Sequence, residues 1–328
     1  MLIDRFGRQV TYLRVSITDR CNLRCVYCMP PEGIQWKEHA SILTYEEIIR
    51  VIEAAAAEGV YGIRLTGGEP LVRKDLADLV KGIAAVPGIR DISLTTNAML
   101  LEGVAGDLAA AGLKRINVSL DTLQPERFAR ITRGGSLERV MRGIRAAEQA
   151  GMTPIKVNAV MMRGVNEDEL EDLAGLTIEN DWHVRFIEMM PVRNQAPWGE
   201  GFPEPESVYY SVQEMLERLL PLGLVPLQDR IGQGPAEIYQ LPGAKGVIGF
   251  ISPIGNKFCD HCNRLRLTAD GTLRPCLLVD DELSIVSTLR EGGDITAMLK
   301  QAVLQKPEGH GLEEHHSPNG RCMLQIGG

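Results

Sequence analysis

Short runs of alternating apolar and polar residues recur along the first two thirds of the chain, separated by longer segments with apolar residues at helical spacing. The first run extends from Tyr12 to Thr18, and five others begin near Gly62, Asp91, Arg115, Pro154 and His183. A period of two predicts β-strands, and a period near 3.6 predicts amphipathic helices. Six strand–helix units in succession predict a parallel sheet, because each helix returns the chain to the start of the next strand.

The first predicted helix has recognisable signals at both ends. Thr44 and Glu47 have the spacing of a capping box, in which each side chain bonds the backbone N–H group of the other residue. Apolar residues follow at helical intervals until Gly59, a residue type that often ends a helix. We therefore expect a helix between the first two strands.

Polar residues lie within or at the ends of six separate predicted strands: Arg14, Arg64, Thr95, Ser119, Lys156 and Glu188. A parallel sheet of this kind either stays open, with helices on both faces, or curls into a barrel. Polar residues on so many strands favour the barrel, since its strands would converge on one polar interior. The same residues could instead end their strands and bond to nearby loops, so the pattern alone leaves both architectures open.

The composition changes after the sixth strand. From Pro191 to Pro205 the chain is rich in Pro, Gly, Trp and acidic residues, which predicts a long loop, and a helix should follow from about Ser207 to Leu220. The sequence Pro-Leu-Gly at 221–223 is the expected boundary between two domains, residues 1–222 and residues 223–328. Strands and turns predominate in the pattern of the second domain.

Composition and charge narrow the function classes. The chain has 328 residues, 44% hydrophobic but only 5% aromatic, which is typical of an α/β protein. The net charge of −8 disfavours binding to nucleic acid or to an anionic membrane, although a few arginines in a pocket could still bind a small anion. Charged residues interrupt the N-terminus too early for a signal peptide, and no apolar run reaches the roughly 18 residues of a membrane span. We therefore expect a cytoplasmic protein.

The seven cysteines fall into two groups of three and one single residue. The first group is Cys21, Cys25 and Cys28, the second is Cys259, Cys262 and Cys276, and the single residue is Cys322. Clustered thiols in a reducing compartment indicate soft-metal binding rather than disulfides. Three thiolates complete neither a structural zinc site nor a fully ligated cubane cluster. Each group therefore takes a distant fourth ligand or leaves one coordination position open for chemistry.

A hairpin in the second group decides where its third thiol lies. Arg264 and Arg266 alternate with leucines, so they should share one face of a strand with Cys262. A two-residue Asp270-Gly271 loop would put Cys276 on the opposite face. A three-residue loop, with Gly271 in the left-handed conformation, pairs Thr268 with Thr272 and Arg264 with Cys276. Cys276 then lies about 7–8 Å diagonally from Cys262, so we predict the three-residue loop.

Taken alone, the second group also fits a zinc site completed by His261 or another residue, since Cys-x2-Cys is common in zinc ribbons. The two arginines favour a different site, because paired guanidinium groups beside an incomplete thiolate set are typical of anion binding next to an open iron.

The spacing Cys-x3-Cys-x2-Cys, with Tyr27 before its last cysteine, resembles the signature of the radical S-adenosylmethionine enzymes. The glycine-rich segment Thr66-Gly67-Gly68-Glu69-Pro70 is similar to a second motif of that superfamily. The C-terminal residues resemble one family within it, the GTP 3′,8-cyclases of molybdenum cofactor biosynthesis: Gly249 to Pro253, Phe258 to Cys276, Phe186 to Glu188 with Met190 and Pro191, and the terminal Gly327-Gly328. This resemblance covers nearly the whole chain. It implies a lyase, and with the strand pattern it implies a partial (β/α)6 TIM-like barrel whose open side is closed by a smaller C-terminal domain.

The resemblance also implies cofactors and site residues. Each cysteine group would hold a [4Fe–4S] cluster, the first binding S-adenosylmethionine and the second meeting the guanine of GTP through its free iron. The residues implied to contact S-adenosylmethionine are Tyr27, Gly68, Ser119 and Met190. Those implied to contact GTP are Arg14, Arg64, Thr95, Lys156, Arg264, Leu265 and Arg266, and those implied in catalysis are Arg14, Arg264, Arg266, Gly327 and Gly328.

Further expectations concern partners and alternatives. The implied electron donor is a flavodoxin or ferredoxin, the implied downstream enzyme is cyclic pyranopterin monophosphate synthase, and the chain would be a monomer or homodimer. Two other functions stay open, a radical S-adenosylmethionine peptide maturase and a non-catalytic metal-structured nucleotide sensor. Met189 replaces an aromatic residue frequent in the family, and the segment from His310 to Asn319, without a derivable role, is expected to be a solvated tail.

Overall fold

The computed structural model describes residues 1–190, 198–227, 234–255, 258–312 and 321–327. Within them, the six expected parallel strands form at the expected places. They are β1 (Tyr12–Ser16), β2 (Gly62–Thr66), β3 (Asp91–Thr96), β4 (Arg115–Ser119), β5 (Ile155–Met161) and β6 (Trp182–Glu188).

The helices between these strands cover one face of the sheet. They are α1 (Tyr45–Ala57), α2 (Leu76–Ala84), α3 (Ala105–Ala110), α4 (Pro125–Thr132), α5 (Leu137–Gln149) and α6 (Leu170–Glu179). The capping box of α1 is present, because the Thr44 hydroxyl accepts the Glu47 N–H group at 3.2 Å and the Glu47 carboxylate accepts the Thr44 N–H group at 2.8 Å. Its apolar face buries Ile48 and Ile52 in the same core as Leu13 and Ile63 of the sheet.

The strand order shows a barrel-type winding. Strands β1 to β6 stand in the sheet in the order in which they occur in the chain. A doubly wound sheet reverses this order at a switch point, whereas a barrel does not. The two end strands of the described sheet are not paired with each other, so the barrel is partial, as expected.

The C-terminal residues extend this sheet at both edges. On the β6 side lie β7 (Val225–Pro226), β8 (Glu237–Gln240) and β9 (Val247–Ile251), with β9 parallel to β6. On the β1 side lie β10 (Arg264–Leu267), β11 (Thr272–Arg274) and β12 (Leu283–Ser284), with β10 parallel to β1. The sheet is thus continuous across residues 222 and 223, and the division into two domains there stays a prediction.

Two helical details differ from the expectation. Helix α7 (Val212–Leu219) begins later than residue 207, because Ser211 and Glu214 form a capping box there. The C-terminal part is not only strands and turns: it contains α8 (Val286–Glu291) and α9 (Ile295–Leu304), and Asp294 caps α9. None of the helices in the described ranges combines the length and the apolar character that crossing a lipid bilayer requires.

Candidate active site

A cavity of about 330 Å³ lies inside the partial barrel and is lined by all six grouped cysteines. The strand residues Arg14, Arg64, Thr95, Ser119, Lys156 and Glu188 line the same cavity, as the barrel prediction required. Glu188 differs in its bonding, since its carboxylate accepts the N–H groups of Val212 and Ile254 and so also ties two loops to the strand end. The two cysteine groups, 230 residues and more apart in sequence, therefore share one polar interior.

Three arginines form a row across the cavity wall. The parallel register pairs Arg14 with Arg266 of β10 on one side and with Arg64 of β2 on the other. Burial, together with repulsion from Arg266, Arg64 and Arg264, lowers the pKa of Arg14 well below its ordinary value. Burial, and then Arg264, lowers the pKa of Arg266 to about 9. Like charges held this close predict an anionic ligand that would relieve the repulsion.

A second cationic group continues this row into the barrel and includes two residues that the sequence analysis missed. Lys156 lines the cavity together with Arg115 and Arg185. Burial first, and then Arg185, Arg115 and Arg64, lowers the pKa of Lys156 to about 6. Burial and the same kind of repulsion lower the pKa of Arg185 to about 9, and its Nε has no hydrogen-bond partner in the described chain. The sequence signal for Arg185 was its alternation with His183, which puts both polar side chains on one face of β6.

The first cysteine group follows β1 on a loop whose backbone turns around Cys25. The carbonyl of Cys25 accepts the N–H groups of Cys28 at 2.9 Å and Met29 at 3.2 Å. Burial raises the pKa of Cys21 to about 11 and raises those of Cys25 and Cys28 further, helped by the neighbouring thiols. These thiols therefore need a bound cation to become thiolates at neutral pH.

The second cysteine group lies on the hairpin with the predicted register. Arg266 pairs with Arg274, Leu267 pairs with Leu273, and the Thr268 N–H group donates to the Thr272 carbonyl at 2.8 Å. Gly271 has a φ of +74°, so the three-residue loop is confirmed. Continuing this register puts Cys276 opposite Arg264, on the cavity face.

The sulfur atoms receive backbone N–H groups, which suits thiolates that ligate iron. Leu23 donates to Cys21 at 3.4 Å, Leu278 donates to Cys276 at 3.5 Å, and further N–H groups approach Cys28, Cys259 and Cys262. Hydrogen bonds to sulfur are a principal way in which proteins tune iron–sulfur clusters.

The described residues contain no ready-made site for a single metal ion. Among the described residues, no three His, Cys, Asp or Glu side chains converge closely enough to hold one metal ion. In a cubane cluster each thiolate binds a different iron, so the sulfurs stand further apart than around a single zinc. His261, the proposed zinc ligand, is exposed. Each group supplies three thiols to the shared cavity, which is the number of protein ligands that the implied clusters need.

Residues near the first group form a second polar network. The Tyr27 hydroxyl donates to Asp121 at 2.7 Å, and the other Asp121 oxygen accepts the Val160 N–H group at 2.8 Å. Burial raises the pKa of Asp121 to about 6, although the Tyr27 hydrogen bond opposes the rise. Ser119 and Met190 line the same cavity.

The glycine-rich segment passes close to the cysteine loop. A Cβ atom at Gly68 would lie 2.2 Å from the Arg20 carbonyl oxygen and 2.8 Å from Leu324. The Glu69 carboxylate accepts bonds from Leu71, Thr96 and Asn97, which holds the segment against the end of β3. Only glycine permits this approach of two backbones.

The C-terminal tail reaches into the same region. The carbonyl of Gly327 accepts a hydrogen bond from Arg266 at 3.0 Å, and Gly328 lies outside the described residues. Leu265 differs from its neighbours, because its side chain is buried in the core on the other face of β10. Only the backbone of Leu265 is therefore available to a ligand in the cavity.

His310 is another residue whose place the sequence did not predict. It is 5% exposed and lines the cavity, and its N–H group donates to Cys259. The expectation of a solvated tail is therefore wrong for His310, while residues 313–319 lie outside the described chain. The contact joins residues 51 positions apart, which local patterns do not reveal.

A larger cavity of about 830 Å³ lies on the other side of Arg264, beside α7 and β8. It shares Glu188, Gly234, Pro235, Phe258 and Arg264 with the first cavity, but no cysteine lines it. All six grouped thiols and the cationic row line the smaller cavity, which is therefore the candidate active site.

Comparisons with known proteins show the family of the chain. Residues 15–177 match the radical SAM superfamily, and residues 182–312 match the family described as Molybdenum Cofactor Synthesis C. The chain is 49% identical to the GTP 3′,8-cyclase of Pelotomaculum thermopropionicum and 48% identical to that of Moorella thermoacetica, with 99% of each chain covered in both comparisons. It is 47% identical to the GTP 3′,8-cyclase of Peptoclostridium acidaminophilum, covering 100% of this chain and 98% of the relative.

Solved structures share the fold at low sequence identity. Streptococcus suis SuiB bound to S-adenosylmethionine superposes with a TM-score of 0.62 at 16% identity, covering 89% of this chain and 68% of SuiB. Native anSMEcpe with bound AdoMet gives a TM-score of 0.57 at 14% identity, covering 91% of this chain and 81% of that structure. Both likenesses support the partial barrel.

Proposed function

We propose, from the premise that this chain belongs to the GTP 3′,8-cyclase family of radical S-adenosylmethionine enzymes, that its cavity cyclises GTP to (8S)-3′,8-cyclo-7,8-dihydro-GTP. This reaction is the first step of molybdenum cofactor biosynthesis. The observation that carries the proposal is a single cavity that joins two three-cysteine groups through a row of cationic side chains.

The first group, Cys21, Cys25 and Cys28, holds the cluster that binds S-adenosylmethionine. When bound, the cluster and cofactor supply a 5′-deoxyadenosyl radical, the species that removes hydrogen from the substrate. Tyr27, oriented by Asp121, and Gly68, Ser119 and Met190 contact the cofactor.

The second group, Cys259, Cys262 and Cys276, holds the cluster that meets the guanine base. Arg14, Arg264 and Arg266 hold the nucleotide between the two groups, and Arg266 also fixes the tail at Gly327. Gly328 completes that tail in this proposal. Thr95 offers a buried hydroxyl without a partner in the described chain, which suits a hydrogen bond to the substrate.

The triphosphate lies against the deeper cations. Lys156 and Arg64 bind its oxygens, and we add Arg185 and Arg115 to this set because they line the same part of the cavity. Guanidinium groups bind phosphate through two parallel hydrogen bonds, and the low-dielectric interior strengthens each contact. An acidic protein can therefore bind a polyanion.

The remaining partners in this proposal are those that the family resemblance implies. A flavodoxin or ferredoxin supplies the electrons, and cyclic pyranopterin monophosphate synthase uses the product. The enzyme works in the cytoplasm, where reducing conditions preserve its thiolates, as a monomer or homodimer.

Metal content and two cysteine variants test the proposal. Anaerobically reconstituted protein should contain about eight irons per chain, four for each cluster. Cys25→Ser should abolish 5′-deoxyadenosine formation, whereas Cys262→Ser should retain binding of S-adenosylmethionine and lose GTP turnover. About two zinc ions per chain without cofactor cleavage would identify a metal-structured nucleotide sensor instead, and product formation by both variants would refute the two-cluster assignment.

A further inference from the structure

Lys306, just after α9, is a fully buried lysine whose ammonium group points at the second cysteine group. Its side chain is 2% exposed. The Nζ atom donates to the carbonyl oxygen of Arg264 at 2.8 Å and to that of Pro275 at 2.9 Å, and it lies 3.6 Å from the sulfur of Cys262. Three contacts satisfy the three N–H groups of an ammonium ion.

The charge balance of this contact set is informative. A buried ammonium group is costly unless a negative charge lies close to it. In the chain as described, no carboxylate lies within ion-pair distance of Lys306, and two of its three contacts are neutral carbonyl groups. Of the three partners, only the Cys262 sulfur can carry a negative charge. Lys306 therefore brings a buried positive charge to the sulfur of a proposed cluster ligand.

The two carbonyl groups give Lys306 a geometric role as well. Arg264 begins β10 two residues after Cys262, and Pro275 directly precedes Cys276. One ammonium group thus ties together the two strands that carry these cysteines. Arg8 makes a similar contact to the third cysteine, since its Nη1 donates to the Cys259 carbonyl at 2.8 Å.

We propose that Lys306 is a positioning residue of the second cluster, which fixes the spacing of Cys262 and Cys276 and offsets the negative charge of the bound cluster. This inference rests on the proposed function, because it requires a cluster at these cysteines. Reduction adds negative charge to the cluster, so a nearby fixed cation favours the reduced form. Removing the cation should therefore lower the reduction potential of the second cluster.

The test uses the full chain with Cys25→Ser, which should retain only the second cluster, in combination with Lys306→Met or Lys306→Arg. The midpoint potential is measured by electron paramagnetic resonance during a redox titration, and iron release to a chelator is followed separately. Lys306→Met should shift the one-electron equilibrium about tenfold toward the oxidised cluster, which corresponds to about 59 mV, and should release iron about tenfold faster. Lys306→Arg should restore most of the potential, since it keeps the charge.

Two comparisons separate a charge effect from a packing effect. Lys300→Met, on the exposed side of α9 where Lys300 pairs with Glu58, should leave the potential unchanged. Urea unfolding of the cluster-free Lys306→Met protein measures the packing effect separately, because the variant also leaves the Arg264 and Pro275 carbonyl groups without this donor. The inference would be overturned if Lys306→Met left the midpoint potential unchanged. It would also be overturned if Lys306→Arg lowered the midpoint potential as much as Lys306→Met does. If the Cys25→Ser parent itself binds no cluster, the proposed function fails as well.

Discussion

The guanidinium group of Arg266 donates a hydrogen bond to the carbonyl oxygen of Gly327 at 3.0 Å. This bond joins the hairpin of the second cysteine group to the C-terminal tail. The tail also reaches the first group, because the Leu324 N–H group donates to the Cys28 sulfur. The tail therefore contacts both ends of the cavity, and we expect its position to affect turnover.

Gly327→Ala should displace this tail. A Cβ atom at Gly327 would lie 2.9 Å from the Thr66 methyl group, and its φ of +69° disfavours alanine. We expect GTP turnover to fall at least about tenfold, or about 1.4 kcal/mol of barrier. The matched control is Gly243→Ala, which has a φ of +73° but no neighbour within 4 Å, so it carries the same backbone strain without the clash. Equal turnover in the two variants would contradict the role of the tail.

Arg321→Ala should release the same tail from its anchor. Arg321 donates to Asp270 at 2.9 Å and 3.0 Å and to Glu282 at 3.0 Å, and its side chain is only 15% exposed. Hydrogen exchange in residues 321–327 should become about tenfold faster, corresponding to about 1.4 kcal/mol of local opening. Arg142→Ala removes a comparable pair of ion pairs on an exposed helix face and should leave this exchange unchanged. Unaltered exchange in Arg321→Ala would show that the anchor lies elsewhere.

GTP binding should take up protons at pH 8. The pKa of Lys156 is about 6 without ligand, because burial and then Arg185, Arg115 and Arg64 oppose its charge. A triphosphate raises this pKa, so binding adds a proton above pH 6, and affinity should fall as the pH rises from there. Calorimetry in buffers of different ionisation enthalpy measures the uptake. Lys156→Gln should reduce it by up to about one proton, whereas the exposed Lys114→Gln should not; equal uptake in all three proteins would exclude this role for Lys156.

Tyr27→Phe should weaken S-adenosylmethionine binding about tenfold, or about 1.4 kcal/mol. The variant loses the 2.7 Å hydrogen bond to Asp121 and with it an influence that lowers the pKa of that carboxyl group. The acidic limb of the binding profile should therefore move to higher pH. Tyr45→Phe loses a hydrogen bond of the same length to the Lys74 carbonyl on the protein surface, and it should bind the cofactor normally. Matching profiles for the two variants would rule out the Tyr27–Asp121 contribution.

The sequence predicted the features that depend on local patterns. The capping box of Thr44 and Glu47 has the predicted partners. The choice of a three-residue loop followed from the need to bring Cys276 to the face of Cys262, and the register agrees. Local spacing constrains such features, because a strand or helix fixes which side chains share a face.

Features that depend on distant contacts were missed. Lys306 meets Cys262 across 44 residues, and nothing in the sequence around either residue indicates the contact. The sequence placed Arg115 at the start of a strand and indicated no further role. In the structure its side chain pairs with Asp91. Leu265 shows the opposite error, in which a residue is assigned to the site because it lies within a motif. Its side chain belongs to the core.

The central claim is that one cavity, with a cluster site at each end, converts GTP to a cyclised product. The most direct measurement is anaerobic incubation of the reconstituted protein with GTP, S-adenosylmethionine and dithionite, followed by chromatography and fragment mass analysis. We expect 5′-deoxyadenosine together with an isomer of GTP that releases no free guanine on fragmentation, because a second bond joins base and sugar. Cys322→Ser keeps a side chain that can cap the helical turn Met323–Ile326 of the tail, so it should form this isomer. Cys262→Ser should not form it. Unchanged GTP beside 5′-deoxyadenosine in the fully loaded protein, or the isomer in Cys262→Ser, would contradict the account.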